Sequence, residues 1–249
     1  MIRIIPRLDI KGADLVKGIH LEGLRVLGSP ELFAQYYYEN GADEIFFQDV
    51  VASLYGRNNL THVVEKTAKK IFIPLTVGGG LRNTKDIYNS LRSGADKIST
   101  NTALFENKNF LKESINIFGS STITCSVELI RNEDDIYFAY TDNGRNYTGK
   151  EAISWIKYLQ DQGAGEISIT FVNFEGTGRG VDIDFVNKLE SFLNIPLLVH
   201  GGFGSKQQIL NFFKLTSSSS IILASTLHYN YIHKLNSPIS SSGNIDFIK

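Results

Sequence analysis

Two carboxylates stand near the carboxyl ends of apolar, β-rich runs: Asp9 in Ile4 to Ile10 and Glu128 in Ile123 to Ile130. Facing one another across a confined site, such a pair performs general acid and general base catalysis, provided their environments split their pKa values. Taken singly, each is also an ordinary loop cap or the partner of a lysine; their matched placement favours the catalytic pair. Lys17 carries two readings, a cation that holds substrate anions or adds positive charge beside Asp9, and an exposed loop lysine. Glycine-rich turns supply a second kind of chemistry. Gly78-Gly79-Gly80, Glu175-Gly176-Thr177-Gly178 and Gly201-Gly202-Phe203-Gly204 each follow a strand-like run and precede a helix-like one. Glycine lets backbone N–H groups close on an anion, and the helix N-terminus adds a favourable dipole. One phosphate cradle assembles from Gly80, Asn101 and Thr102, the other from Gly176, Gly202, Ala224 and Ser225. Two cradles on opposite sides of one mouth imply an elongated substrate with a phosphate at each end.

These residues need a scaffold that repeats itself, and the chain does. Gly41-Ala42-Asp43-Glu44-Ile45 returns as Gly163-Ala164-Gly165-Glu166-Ile167, the run from Ile73 to Gly80 as Ile195 to Gly202, and the run from Lys97 to Thr102 as Ile221 to Thr226. Eight β-rich runs alternate with amphipathic stretches, from Ile4–Ile10 with Pro30–Asn40 to Ser220–Leu223 with a short segment around His233. Near-continuous apolar strands covered by helices are parallel, and eight of them close a barrel. The expected fold is therefore α/β, a (β/α)8 TIM barrel with an internal two-fold half-barrel repeat. It forms one domain over residues 1–249, with halves at 1–120 and 121–235. Helices are expected to start at Ser29-Pro30 and Asn83-Thr84. Two departures lie on the functional face and are lid candidates. Residues 15–29 form a long, Gly-punctuated connection, and Leu129 to Thr148 read as an inserted β-hairpin turning near Asn143-Gly144. Thr216 to Ser220 and Ser237 to Gly243 read as loops without chemistry.

With 249 residues, 42% of them hydrophobic, the chain is long enough to bury a large core. Its net charge of −1, with both signs interspersed, provides no basic stripe for a nucleic-acid backbone or an anionic membrane. The single Cys125 sits in an apolar run; it reads as a buried strand thiol and suits a reducing compartment. No leader and no apolar stretch of about 18 residues is found, so a soluble cytoplasmic protein is expected. Five scattered histidines make no metal-ligand pattern, and His200 at a strand end reads as a hydrogen-bonding residue. No nucleotide-cofactor fingerprint is present, so no cofactor and no metal are expected.

With these residues placed, the chain resembles the cyclase subunits of imidazole glycerol phosphate synthase, among the histidine-biosynthesis barrels, from Ile4 to about His228. The carrying segments are Leu8-Asp9-Ile10-Lys11, Leu15-Val16-Lys17-Gly18, Asp49-Val50-Val51-Ala52-Ser53, Thr76-Val77-Gly78-Gly79-Gly80, Gly94-Ala95-Asp96-Lys97-Ile98-Ser99, Asn101-Thr102-Ala103 and Gly163-Ala164-Gly165-Glu166-Ile167. The resemblance implies a heterodimer in which a glutaminase docks at the amino-terminal face of the barrel, close to Asp96, and releases ammonia. It also implies a floor gate of alternating charges at Arg3, Glu44, Lys97 and Glu166, through which ammonia rises to attack a bisphosphorylated ribulosyl formimino carboxamide nucleotide. Such a ring also serves as a self-compensating plug, because buried charges are tolerated when paired.

The chain departs from the family pattern at its substrate end. Glu128 stands for the usual Asp and displaces the carboxylate by about 1.5 Å. Arg7 replaces a small residue on the strand face of Asp9, where it either pairs with Asp9 or narrows the ammonia path. Phe171 and Asn173 stand for a hydroxyl and a carboxylate, and His200 for a small residue. Three other readings follow: a paralogue feeding ammonia to amidation of surface-polysaccharide sugars, the sister phosphoribosyl isomerase, and a non-catalytic barrel that activates the glutaminase.

Overall fold

A computed structural model describes residues 2–52 and 60–235; Ser53 and the loop expected over 237–243 lie outside the described residues. In chain order the described strands are β1 (Arg3–Lys11), β2 (Asp14–Ile19), β3 (Glu22–Gly28), β4 (Ile45–Asp49), β5 (Leu75–Gly78), β6 (Lys97–Thr100), β7 (Ile123–Arg131), β8 (Tyr137–Thr141), β9 (Asn146–Glu151), β10 (Glu166–Phe171), β11 (Leu197–His200) and β12 (Ser220–Leu223). The described α-helices are α1 (Pro30–Glu39), α2 (Thr61–Ala68), α3 (Thr84–Arg92), α4 (Thr102–Glu106), α5 (Phe110–Phe118), α6 (Ala152–Asp161), α7 (Ile183–Glu190), α8 (Lys206–Leu215) and α9 (Ser225–Leu235). Strands β1, β4, β5, β6, β7, β10, β11 and β12 run parallel, and the β7–β10 ladder closes them into the (β/α)8 barrel. Among the described residues, no helix is long and apolar enough to cross a membrane.

The repeat is carried into the register. Ile45 pairs with Leu75 between β4 and β5, and their counterparts Ile167 and Leu197 pair between β10 and β11. Alternation along each strand sends one set of side chains outward, where Cys125, Val127, Ile167 and Ile169 pack on Ile156, Leu159 and Val186 of the helices. The inward set is uneven. Neighbouring strands β11, β12, β1 and β4 contribute Leu198, Ile222, Ile5 and Phe46, which form one buried cluster. The other four, β5, β6, β7 and β10, carry Gly78, Ser99, Ser126 and Ser168 at inward positions. Ser99 and Ser126 hydrogen-bond to each other at 2.6 Å.

Helix starts follow the expected residues. Asn83 accepts from the Asp86 N–H at 3.0 Å, while Ser29 is the N-cap before Pro30 without a side-chain cap bond. The connection over residues 15–29 differs from a plain loop: β2 and β3 form a hairpin turning at His20 and Leu21, whose φ values of 52° and 63° suit a type I′ turn. Residues 129–148 hold two turns rather than one. The chain reverses first between β7 and β8, then again at Asp142 and Asn143, both with positive φ. Each hairpin leans across the mouth onto the other half of the barrel. The His20 N–H donates to the Glu175 carbonyl at 3.0 Å and His20 Nδ1 lies 2.8 Å from the Val172 carbonyl, while Asn143 Nδ2 donates to the Val50 carbonyl at 2.5 Å. An exposed pair, Arg145 to Glu22 at 3.7 Å, joins the two hairpins.

Candidate active site

At the carboxyl ends of the strands, a cavity opens between Gly80, Asn101, Thr102, Glu128 and Arg7. A second opens between Gly176, Gly202, Ala224, Ser225 and His200. The sequence-predicted cradle residues are therefore brought together in two groups on one face. Gly202 has φ 101°, and a Cβ there would overlap the Gly180 carbonyl, which already accepts no freedom to retreat because Gly180 donates its N–H to the Gly202 carbonyl at 2.7 Å. Gly202→Ala is expected to cost about 2–3 kcal/mol, read by urea unfolding. In the first, Asn101 Nδ2 donates to the Tyr140 carbonyl at 3.0 Å, whereas its buried Oδ1 has no partner.

Glu128 faces the first cavity, and its Oε2 accepts from the Gly144 N–H at 2.8 Å. Burial pushes its carboxyl up to about 7, against the smaller opposing pull of the Gly144 N–H and Arg7. Asp9 lies elsewhere. It is buried, its Oδ1 accepts from Arg7 Nε at 2.8 Å and its Oδ2 from Lys17 Nζ at 2.9 Å. Burial alone would raise its pKa; Arg7 and Lys17 overcome this and hold it well below the usual carboxylate range. Arg7 and Glu128 line the first cavity, and Asp9 stands on the same strand face as Arg7, bonded to its Nε.

Lys17 is neither an exposed loop lysine nor a residue of either cavity: it is fully buried and its Nζ also pairs closely with Glu175. Burial opposes its charge, yet Asp9 and Glu175 raise its pKa above the ordinary lysine value. Glu175, directly before the Gly176 turn, completes a buried cluster of Arg7, Asp9, Lys17 and Glu175 and accepts from the Leu21 N–H at 3.3 Å. His200 is neutral near pH 7, since burial and then Arg7 lower it to about 4; its Nδ1 lies 3.0 Å from the Ile222 carbonyl. Phe171 points outward into the shell, and Asn173, just past β10, is occupied in accepting from the Arg131 N–H at the end of β7 at 3.0 Å. The hydroxyl and carboxylate on that side come from Thr170 and Glu175 instead.

At the opposite end of the barrel the four charges form a closed ring. Arg3 Nη2 pairs with Glu166 at 2.7 Å and Nη1 with Glu44 at 3.5 Å, while Lys97 Nζ pairs with Glu44 at 2.9 Å and Glu166 at 3.0 Å. Thr76 donates to Glu44 Oε1 at 2.6 Å, the oxygen the two cations leave free, and Thr124 adds a 3.0 Å bond to Glu166 Oε2, which Lys97 also holds. Asp96 lies on this face, exposed, with Oδ2 accepting from the Leu75 N–H at 2.8 Å. Among the described residues, no group of three or more His, Cys, Asp or Glu side chains is arranged to hold a metal.

The family model described as histidine biosynthesis protein matches residues 3–233. The chain belongs to the histidine biosynthesis protein family. Among its relatives, the imidazole glycerol phosphate synthase subunit HisF of Legionella pneumophila is 45% identical over 207 residues, covering 83% of this chain and 98% of the relative. Proteins of the same name from two strains of Bacillus cereus are 40% and 41% identical over 227 residues, covering 91% of this chain and 90% of each relative. Within this histidine biosynthesis barrel, the residues that sequence reasoning missed are Glu175 and Thr170. The first was legible as an acid directly before a glycine turn; the second follows from strand alternation, which sends Thr170 inward beside Ser168 and Phe171 outward.

Proposed function

We propose that this chain is the ammonia-using cyclase of imidazole glycerol phosphate synthesis, working as a lyase with a glutaminase partner. The observation that carries this reading is the closed charge ring at the floor of the barrel beneath a mouth holding Glu128 and two glycine cradles. The sister isomerase would have no use for such a ring. Ammonia released at the floor enters past Arg3, Glu44, Lys97 and Glu166 and rises to a bisphosphorylated ribulosyl formimino aminoimidazole carboxamide nucleotide gripped at both phosphates. Glu128, half ionised near neutrality, takes the proton that the attacking nitrogen loses and returns one to the departing nitrogen. Asp9 serves as a fixed anion that orders Arg7 and Lys17. The products are imidazole glycerol phosphate and an aminoimidazole carboxamide ribotide.

The glutaminase would cover the floor face. Ile2, Phe72 and Leu215, which precede β1, β5 and β12, are exposed there by 51%, 80% and 59%, an apolar set beside the ring and Asp96 that a partner would bury.

The purified chain, given an ammonium salt at alkaline pH and the bisphosphate nucleotide, is expected to turn over without the partner. The salt bridge of Arg7 with Asp9 favours a second reading, the same ammonia-delivering barrel serving another acceptor, such as a sugar awaiting amidation. No turnover with this nucleotide, with glutaminase stimulation intact, would replace the first reading by the second.

A further inference from the structure

Arg7 reaches across the barrel interior. From β1 its Nη1 comes within 3.4 Å of Thr170 Oγ1 on β10, three strands away around the wall, while its Nε is held by Asp9. Four residues lower on both strands, Arg3 makes the same span to Glu166. Two arginines thus bridge one pair of strands, about 13 Å apart along them.

The space between is divided. Ile5, Phe46, Leu198 and Ile222 occupy the half under Arg7 and Asp9, whereas the first cavity descends along the other half as far as Ser99 and Ser126. We propose that Arg7 is a positioning residue that makes the interior one-sided, so that a small molecule travelling between floor and mouth follows the wall of Thr124, Ser99, Ser126, Ser168 and Thr170 and arrives beside Glu128. This inference rests on the ammonia-delivery reading for what travels, and on geometry alone for the route.

Substituted-cysteine accessibility tests the route without any substrate. Ser126→Cys and Ile5→Cys, with Leu198→Cys as a second site on the apolar side, are exposed to methyl methanethiosulfonate and followed by mass spectrometry in folded protein checked by thermal melting. The native Cys125, buried in the outer shell, sets the background. With Arg7 present, position 126 is expected to react about tenfold faster than positions 5 and 198. Arg7→Ala should bring all three within about threefold, and Arg7→Met, which keeps part of the bulk without the charge, should preserve part of the contrast. Equal rates in the presence of Arg7, or no change with Arg7→Ala, would overturn the proposal. These rates need no acceptor, so failed turnover with the bisphosphate nucleotide strikes the cyclase reading alone, and lost thiol contrast strikes the route alone.

Discussion

Glu128→Gln is expected to lower ammonium-dependent turnover by about 10²- to 10⁴-fold, the usual contribution of a positioned general acid or base. Glutamine keeps an oxygen to accept from the Gly144 N–H, so the hairpin anchor survives while the transferable proton is lost. The wild-type kcat/KM profile should bend close to pH 7, where burial has placed this carboxyl, and the bend should vanish in the variant. A bend that persists would assign it to another group. Stability moves in the opposite sense. Because the folded-state pKa of Glu128 is raised, its contribution is fully present below the ordinary carboxylate range and is lost as pH climbs through about 7. Glu128→Gln should therefore be more stable than the parent at pH 8, by about 3 kcal/mol, and equal to it near pH 4, as read by urea unfolding.

The largest stability loss is expected from Lys17→Met, about 3–5 kcal/mol, because it leaves the buried Glu175 without its cation and Asp9 with Arg7 alone. Among the described residues Lys17 alone pairs with both Asp9 and Glu175; besides it, Glu175 has the Leu21 N–H at 3.3 Å and His200, neutral near pH 7, at 4.0 Å. Arg7→Met removes a cation from the same cluster but leaves Asp9 with Lys17, and should cost clearly less. Urea titrations of both variants at pH 7 give the comparison; equal losses would show that the cluster is held chiefly through Asp9 and Arg7.

The barrel was legible because its halves repeat residues that face the same way: Glu44 and Glu166 both begin a strand pair at the floor, and Gly80 and Gly202 both end one at the mouth. The cradles could be read for the same reason, since glycine beside a helix start is a local signal. The fate of Asp9 was not local. It depends on Lys17, which reaches back from an antiparallel hairpin, and on Glu175, from the opposite half of the chain. That hairpin was itself obscured because its turn uses His20 and Leu21 rather than glycine or asparagine, a choice sustained by docking on Val172 and Glu175. Phe171 and Thr170 differ by one position, and one position decides whether a strand residue meets the shell or the interior.

The crossed hairpins carry a consequence for how the enzyme opens. Each tip rests on a loop belonging to the other half, and Arg145 pairs with Glu22 where they meet, so lifting one flap is expected to loosen the other. The arrival of one end of a long substrate is then expected to be felt at the far end, through contacts that cross between the repeated halves.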